Sequence, residues 1–188
     1  RKYLDEQKDY VTELLGELMK YVDDKGYEKL NARFLDWPSS ENPKGIDAGL
    51  QALMAIAFDS GAKLETIWGN TELAKKCSDI SAKMKKCRRD FNGSKQAASL
   101  NAIAGMISPE KAAKKTILPG GAKDFSTFYG YYMLEALALA GCYTEAMDIM
   151  RQYWGAMLDL GATTFWEDFN LDWTKNAARI DELVPEGK

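Results

Sequence analysis

Histidine is absent from this sequence of 188 residues, and cysteine is scarce. Without an imidazole the chain by itself forms no Ser-His-Asp or Cys-His nucleophile system, and it lacks the commonest zinc ligand. Any acid–base chemistry therefore falls to carboxylates, tyrosine, lysine or cysteine. The three cysteines are an odd number without metal-binding spacing, which predicts buried small side chains rather than a disulfide scaffold. They are Cys77, Cys87 and Cys142.

Long apolar runs and a strong charge of either sign are also missing. No run approaches the roughly 20 residues that span a bilayer. The net charge is −3, so we expect neither nucleic acid nor a membrane surface as a partner. The basic stretch at 83–89 is interpreted as a solvated helix face. No phosphate-binding loop, metal-ligand cluster or redox motif is present, and we expect no cofactor and no metal.

Strand patterns are equally scarce, because no alternation of apolar and polar residues exceeds four positions. Apolar residues instead recur at intervals of three and four. This spacing predicts about six main helices in three hairpins, which favours an all-α toroid or solenoid over a four-helix bundle. The first five are predicted at 3–22, 46–60, 64–91, 95–106 and 125–140, and the sixth closes at Gly161.

Glycine, proline and capping residues predict where the helices begin and end. Gly61 is expected to end the second helix, and Ser108 to cap a helix that starts at Pro109. Thr144 is expected to cap the last helix. The stretch at 125–140 is apolar nearly all round, which predicts a buried helix.

The segment 161–169 (GATTFWEDF) is the most informative for chemistry, because it follows a helix and places one acid among aromatics. Glu167 is flanked by Phe165, Trp166 and Phe169. Aromatic side chains stack on the apolar face of a sugar, and they raise the pKa of a neighbouring carboxyl by lowering the local dielectric. The alternative is a solvated loop acid beside aromatics that pack into the core.

A second acid stands beside an indole at Asp36-Trp37. Pro38 disfavours helical backbone at the preceding residue, so this pair is expected on extended chain. The alternative is that Asp36 caps a turn and Trp37 fills the end of a helical barrel.

Several motifs together resemble the bacterial α-L-rhamnosidase family. They are YMLEAL at 132–137 followed by Ala140-Gly141, YWGAML at 153–158, GATT at 161–164, the Trp-Glu pair at 166–167, the Asp-Trp pair at 36–37, and QAA at 96–98 with Gly105 and PE at 109–110. The resemblance implies a six-hairpin glycosidase, an (α/α)6 toroid. Residues 1–188 would form one segment, the second half of the catalytic barrel.

The resemblance also implies an activity and residue roles. The parent enzyme would hydrolyse terminal α-L-rhamnosides with inversion, and Glu167 would be the general base. Asp36, Trp37, Phe165 and Trp166 would bind the substrate, a rhamnose-containing oligosaccharide or glycoside. The acid- and arginine-rich motif of the general acid is absent, as is the downstream histidine segment. We therefore expect the remainder of the barrel as a partner, and an isolated chain without activity.

Two alternatives remain open from the sequence. The first is an enzyme with the same toroid and another sugar, such as a glucosidase, a trehalase or a glycan lyase. The second is a non-enzymatic helical-repeat binding module, which predicts a repeat period and a charged concave groove. A bacterial source is expected, with a periplasmic or a cytoplasmic location equally open.

Overall fold

The computed structural model describes residues 2–175 and 177–183, and within these ranges it contains helices and no strand. The predicted all-α class is confirmed. Six main helices and two short ones follow one another: α1 Lys2–Glu6, α2 Lys8–Met19, α3 Pro43–Ile67, α4 Thr71–Met84, α5 Lys95–Ile103, α6 Pro109–Ala112, α7 Gly130–Leu139 and α8 Tyr143–Asp159. Short 3-10 turns lie at Trp37–Ser39 and Leu171–Thr174, and a π-helical turn at Ala113–Ile117 follows α6.

The central helix is α5, which packs against both α3 and α7. Its residues 95–102 are all buried, so the helix is enclosed on every side. The other helices extend outward from it, α4 and α2 on α3 and α8 on α7. Three apolar clusters lie between these layers. Their largest members are Leu15, Phe58 and Met84 in the first, Leu50, Leu100 and Met106 in the second, and Phe125, Leu137, Tyr153 and Met157 in the third.

Two helix boundaries differ from the sequence prediction. Gly61 lies inside α3 and does not end it. A Cβ added at Gly61 would lie 2.5 Å from Leu15 Cδ2. The glycine thus serves the close packing of α2 on α3. The prediction of a single helix at 64–91 is also wrong. Gly69 turns the chain with φ +81°, and Asn70 caps a separate helix, α4.

Of the other predicted helix ends, some are confirmed and some are wrong. Ser108 caps α6 as predicted, since its hydroxyl accepts the Lys111 N–H at 3.2 Å. Thr144 was wrongly predicted as a cap, because α8 begins at Tyr143 without a side-chain cap. The helix predicted at 125–140 starts only at Gly130. Cys77 and Cys87 are buried free thiols, whereas Cys142 is half-buried.

One side of the α7–α8 hairpin is exposed and apolar, which corrects the prediction of a helix buried all round. Tyr131 is 65% exposed and Leu158 is 57% exposed. These residues line an open groove of about 660 Å³ together with Leu134, Trp154 and Phe165, here called the α7–α8 groove. Within the described ranges, no helix has both the length and the hydropathy that crossing a membrane requires.

The packing of α8 on α7 depends on a glycine. A Cβ on Gly130 would lie 2.5 Å from Trp154 Cη2, whereas a Cβ on Gly155 would meet nothing within 4 Å. We expect Gly130→Ala to lower the free energy of unfolding by about 1–3 kcal/mol, because the rigid indole must move. Gly155→Ala should raise it by about 0.5–1 kcal/mol through helix propensity. Urea unfolding measures both, and equal effects would contradict this account of the packing.

Candidate active site

Asp36 is a buried carboxyl, 5% exposed, at the start of the 3-10 turn Trp37–Ser39. Its Oδ2 accepts hydrogen bonds from Ser126 Oγ at 2.6 Å and Gln96 Nε2 at 3.0 Å. Its backbone is extended, as predicted for this pair, but Trp37 already belongs to the turn. The Trp37 indole is 49% exposed and packs edge-on against Phe34, with ring centroids 5.0 Å apart.

The amide of Gln96 joins three segments around this carboxyl. Its Nε2 donates to Asp36 and to the Asp124 carbonyl, both at 3.0 Å. Its Oε1 accepts from Ser39 Oγ at 2.8 Å and from Ser94 Oγ at 3.3 Å. Both donor hydrogens and both lone pairs are thus used. Because Gln96 stands on the enclosed helix α5, it fixes the loops that carry its partners.

The loop after α8 is attached at the same place. Thr127 Oγ1 donates to the Trp166 carbonyl, and Tyr153 Oη donates to the Phe169 carbonyl at 2.7 Å. The Trp166 ring lies edge-on to Phe169 at 5.5 Å. Since Ser126 holds Asp36 and the next residue holds Trp166, the structure brings together two segments that are about 130 residues apart in the sequence.

A pocket of about 340 Å³ opens beside this junction and is here called the indole pocket. Glu167 is exposed and is not among its lining residues, whereas its neighbour Asp168 is. Phe165 lies elsewhere, in the α7–α8 groove. The loop therefore contributes one residue on each side of the Trp166-Glu167 pair to a different concavity, and the Glu167 side chain between them is exposed. The lining is mostly aromatic and acidic: Trp37, Pro38, Ser40, Ala122, Asp124, Phe125, Tyr153, Asp168, Phe169, Asn170, Leu171 and Trp173.

Burial dominates the electrostatics of the groups around the pocket. It raises the pKa of Asp36, against the opposing effect of the hydrogen bonds from Ser126 and Gln96, and the charge of Asp168 raises it further. Burial also raises the pKa of Tyr153 to about 12. Lys95 shows the converse, because burial lowers the pKa of its ammonium to about 8. Its Nζ donates to the Gly121 carbonyl at 2.7 Å.

Several site residues had escaped the sequence prediction. In the sequence Gln96 is only part of the QAA motif at 96–98. No local pattern marks Ser126 or Thr127, because their role depends on contacts between distant segments. Asp168 and Trp173 follow the predicted Trp-Glu pair closely, so a candidate segment extended beyond the pair would have contained both. Asp124 has a positive φ of 62°, which is uncommon outside glycine and marks a constrained turn. Among the described residues, no group of three or more His, Cys, Asp or Glu side chains could hold a metal ion.

Comparison with known proteins gives a fold and no closer assignment. No family model matches the chain, and no curated protein matches it. Among solved structures, it is similar to the GH78 family rhamnosidase of Bacillus sp. GL1, with a TM-score of 0.67 and 21% identity. The chain has a glycoside hydrolase-like fold.

The match covers 88% of this chain and 20% of that rhamnosidase, so the chain spans about a fifth of its length. At 21% identity the likeness describes the fold alone. It agrees with the toroid hairpins that the rhamnosidase-like motifs imply.

The Gln96 hydrogen bonds give a first prediction for this site. Replacement by leucine would leave the buried Asp36 carboxyl and the Asp124 carbonyl without that donor, and each such loss costs about 1–3 kcal/mol. We expect Gln96→Leu to lower the free energy of unfolding by about 2–4 kcal/mol. Gln152→Leu on the exposed side of α8 is the control and should stay within about 0.5 kcal/mol of the native protein. A loss in Gln96→Leu no larger than in the control would show that the network contributes little.

The raised pKa of Asp36 gives a second prediction, on pH dependence. A carboxyl with a raised pKa in the folded state binds a proton more tightly when folded, so it favours folding most at pH values below its usual pKa of 3.8. That contribution is lost as the pH rises through the folded-state pKa. The stability of the native protein relative to Asp36→Asn should therefore fall as the pH rises from about 4. Urea unfolding of both proteins between pH 4 and 7 tests this, and a relative stability that rises with pH would contradict it.

Proposed function

We propose that this chain is part of a glycoside hydrolase that cleaves terminal α-L-rhamnosides with inversion, and that Glu167 is its general base. One observation carries the proposal. Asp36 and the Trp166-Glu167 pair, both of which the rhamnosidase-like motifs assign to the sugar cleft, are held by the adjacent residues Ser126 and Thr127. The fold shared with a GH78 family rhamnosidase supports it.

The position of Glu167 suits a group that activates water. Its side chain is exposed, and in the described part of the chain it makes no hydrogen bond or ion pair that would hold it elsewhere. An inverting enzyme needs two carboxyls roughly 6.5–9.5 Å apart, so that a water fits between the base and the sugar. The chain spans a fifth of the rhamnosidase that it matches. We accordingly assign the general acid to the rest of the barrel, whose hairpins would cover the α7–α8 groove.

Of the other proposed site residues, some hold the cleft in shape and others would contact the sugar. Asp36 is buried and bonded, so it supports the cleft by holding Ser126 in place. Trp37 presents a half-exposed indole to the indole pocket and is suited to stack on a sugar ring. Trp166 packs on Phe169 and orients the backbone that carries Glu167. Phe165 lines the α7–α8 groove and not the indole pocket, so in the proposed enzyme it packs against the covering hairpins and does not contact the sugar.

The charge of the pocket argues against one rival function. Glycan lyases that act on uronic acids bind an anionic sugar, for which a cationic site is favourable. Two acidic residues, Asp124 and Asp168, and no basic residue line the indole pocket. Like charges at short range oppose binding of a uronate. An uncharged deoxysugar such as rhamnose meets no such opposition.

The proposal is tested by Glu167→Gln in the enzyme that joins this chain to the rest of its barrel. The amide keeps the size of the side chain and removes its basicity, so kcat for an aryl α-L-rhamnoside should fall by about 10²–10⁴-fold while KM changes little. Added azide should restore part of the rate and give a product of inverted configuration. This chain alone should show no turnover, because one of the two carboxyls is absent.

A matched control is Glu145→Gln, in the first turn of α8 and so at the other end of that helix from the Glu167 loop. It makes the same chemical change on the same hairpin and should keep the native kcat. If the folded Glu167→Gln enzyme works within about threefold of the native rate, Glu167 is not the general base.

A further inference from the structure

The basic stretch at 83–89 is only partly a helix face. The helix α4 ends at Met84, so the residues after it lie on irregular chain. There Arg88 and Arg89 meet basic residues of two other segments, Lys29 after α2 and Lys44 in the first turn of α3. The three segments surround an open pocket of about 510 Å³, here called the basic pocket. Its lining is almost entirely charged: Tyr27, Lys29, Lys44, Asp47, Arg88, Arg89 and Asp90.

Positive charge exceeds negative charge in this lining. Four of the residues are basic and two are acidic, whereas the whole chain carries a net charge of −3. The indole pocket has the opposite character, since acidic and no basic residues line it. The helix α3 adds to the positive potential, because Lys44 lies at its N-terminal end and its first turn contains no acid. A local excess of positive charge on an acidic chain favours an anionic ligand.

One arginine of the basic pocket is held in place by the fold. The Arg89 guanidinium lies 5.1 Å from the centroid of the Tyr27 ring, and its Nη2 donates to the Glu28 carbonyl at 3.3 Å. Glu28 is itself fixed, because it is 1% exposed and its N–H donates to Gln51 Oε1 at 2.9 Å. Lys29 Nζ lies 6.0 Å from the centroid of the same Tyr27 ring. Two cations from different segments are thus brought to one ring.

The acids of the lining do not fully occupy its basic side chains. Asp47 is shared, because it pairs with Arg89 at 3.4 Å and also contacts Arg33. Lys44 pairs with Asp90 at 3.2 Å, and both side chains are about two-thirds exposed. An exposed pair of this kind contributes little, so an incoming anion can replace it at small cost.

Arg88 supplies the remaining positive charge. It is exposed, and among the described residues its side chain makes neither a hydrogen bond nor an ion pair. An arginine carries five N–H donors in a planar fork, which fits the oxygens of a phosphate or sulfate group. All donors of the Arg88 side chain are therefore open to such a ligand.

We propose that the basic pocket binds a tetrahedral oxyanion, phosphate or sulfate, with Arg88 as its main donor and Arg89 and Lys29 as supporting cations. The inference does not rest on the proposed hydrolase activity, and the basic pocket shares no lining residue with the indole pocket. A free ion and an ester carried by a polysaccharide offer the same oxygens. The volume of about 510 Å³ leaves room for the group that carries an ester.

Titration of the chain with sodium phosphate, followed by 15N NMR, tests the site. In low salt the Kd should be on the order of 1 mM, as expected of a few exposed charge contacts. The shifts should concentrate at 27–29, 44–47 and 88–90. Sodium chloride at the same ionic strength is the control and should not reproduce them. No saturating shift up to about 20 mM phosphate, or equal shifts with chloride, would overturn the proposal.

Substitutions in the basic stretch separate a site from general attraction. Arg88→Ala should weaken phosphate binding at least about fivefold, because the ligand loses charge-assisted hydrogen bonds. Arg88→Lys should lose less, since it keeps the charge and removes only the planar fork. Lys86→Ala is the matched control, because Lys86 is an exposed residue of the same stretch that does not line the pocket. Its Kd should stay within about twofold of the native value, and equal losses in Arg88→Ala and Lys86→Ala would contradict the site.

A sulfated polymer distinguishes the two sources of the oxyanion. If the ligand is an ester on a polysaccharide, dextran sulfate should bind at least about tenfold more tightly than inorganic sulfate at equal sulfate concentration, because neighbouring esters meet the other cations. Arg88→Ala should then remove most of this gain. Equal affinities that both depend on Arg88 would assign the pocket to a free ion. Tight binding of the polymer that Arg88→Ala leaves unchanged would show contact with another surface and overturn the pocket as its site.

Discussion

The geometry of the site depends on one buried amide. Gln96 uses both hydrogens and its oxygen on groups from three separate segments, and its own helix is enclosed by α3 and α7. A buried polar group that is fully paired fixes its neighbours, whereas a half-paired one would destabilise the core. Gln96 bonds directly to Asp36 and to the Asp124 carbonyl, and Ser126 is joined to this network through Asp36.

The apolar core and the polar network perform different tasks. The clusters around Phe58, Leu100 and Tyr153 pack the helices in sequence, and each could tolerate other side chains of similar volume. The hydrogen bonds made at Ser126 and Thr127 have no such latitude, because they are directional and join specific atoms. The apolar core thus fixes the order in which the helices pack. The polar contacts fix the relative positions of the loops at one end of the helices.

Three carboxyls close to one another in space have three different environments. Asp36 is buried and hydrogen-bonded, and its pKa is raised. Asp168 lines the indole pocket, and Glu167 is exposed and lies outside its lining. The three carboxyls therefore differ in their access to solvent and to hydrogen-bond partners, and such differences in environment are what give one chemical group different proton affinities.

The sequence by itself determined the helical class, because the spacing of apolar residues follows from the helix period and needs no distant contact. It also identified the Asp36-Trp37 and Trp166-Glu167 pairs as candidates. It misjudged Gly61, because a glycine in a close helix contact and a glycine at a helix end look alike in one dimension. Only the tertiary structure decided that the two pairs meet at Ser126-Thr127, that Gln96 joins the loops, and that Asp168 rather than Glu167 lines the indole pocket. Those relations are contacts between segments far apart in the chain, and local sequence preferences carry no information about them.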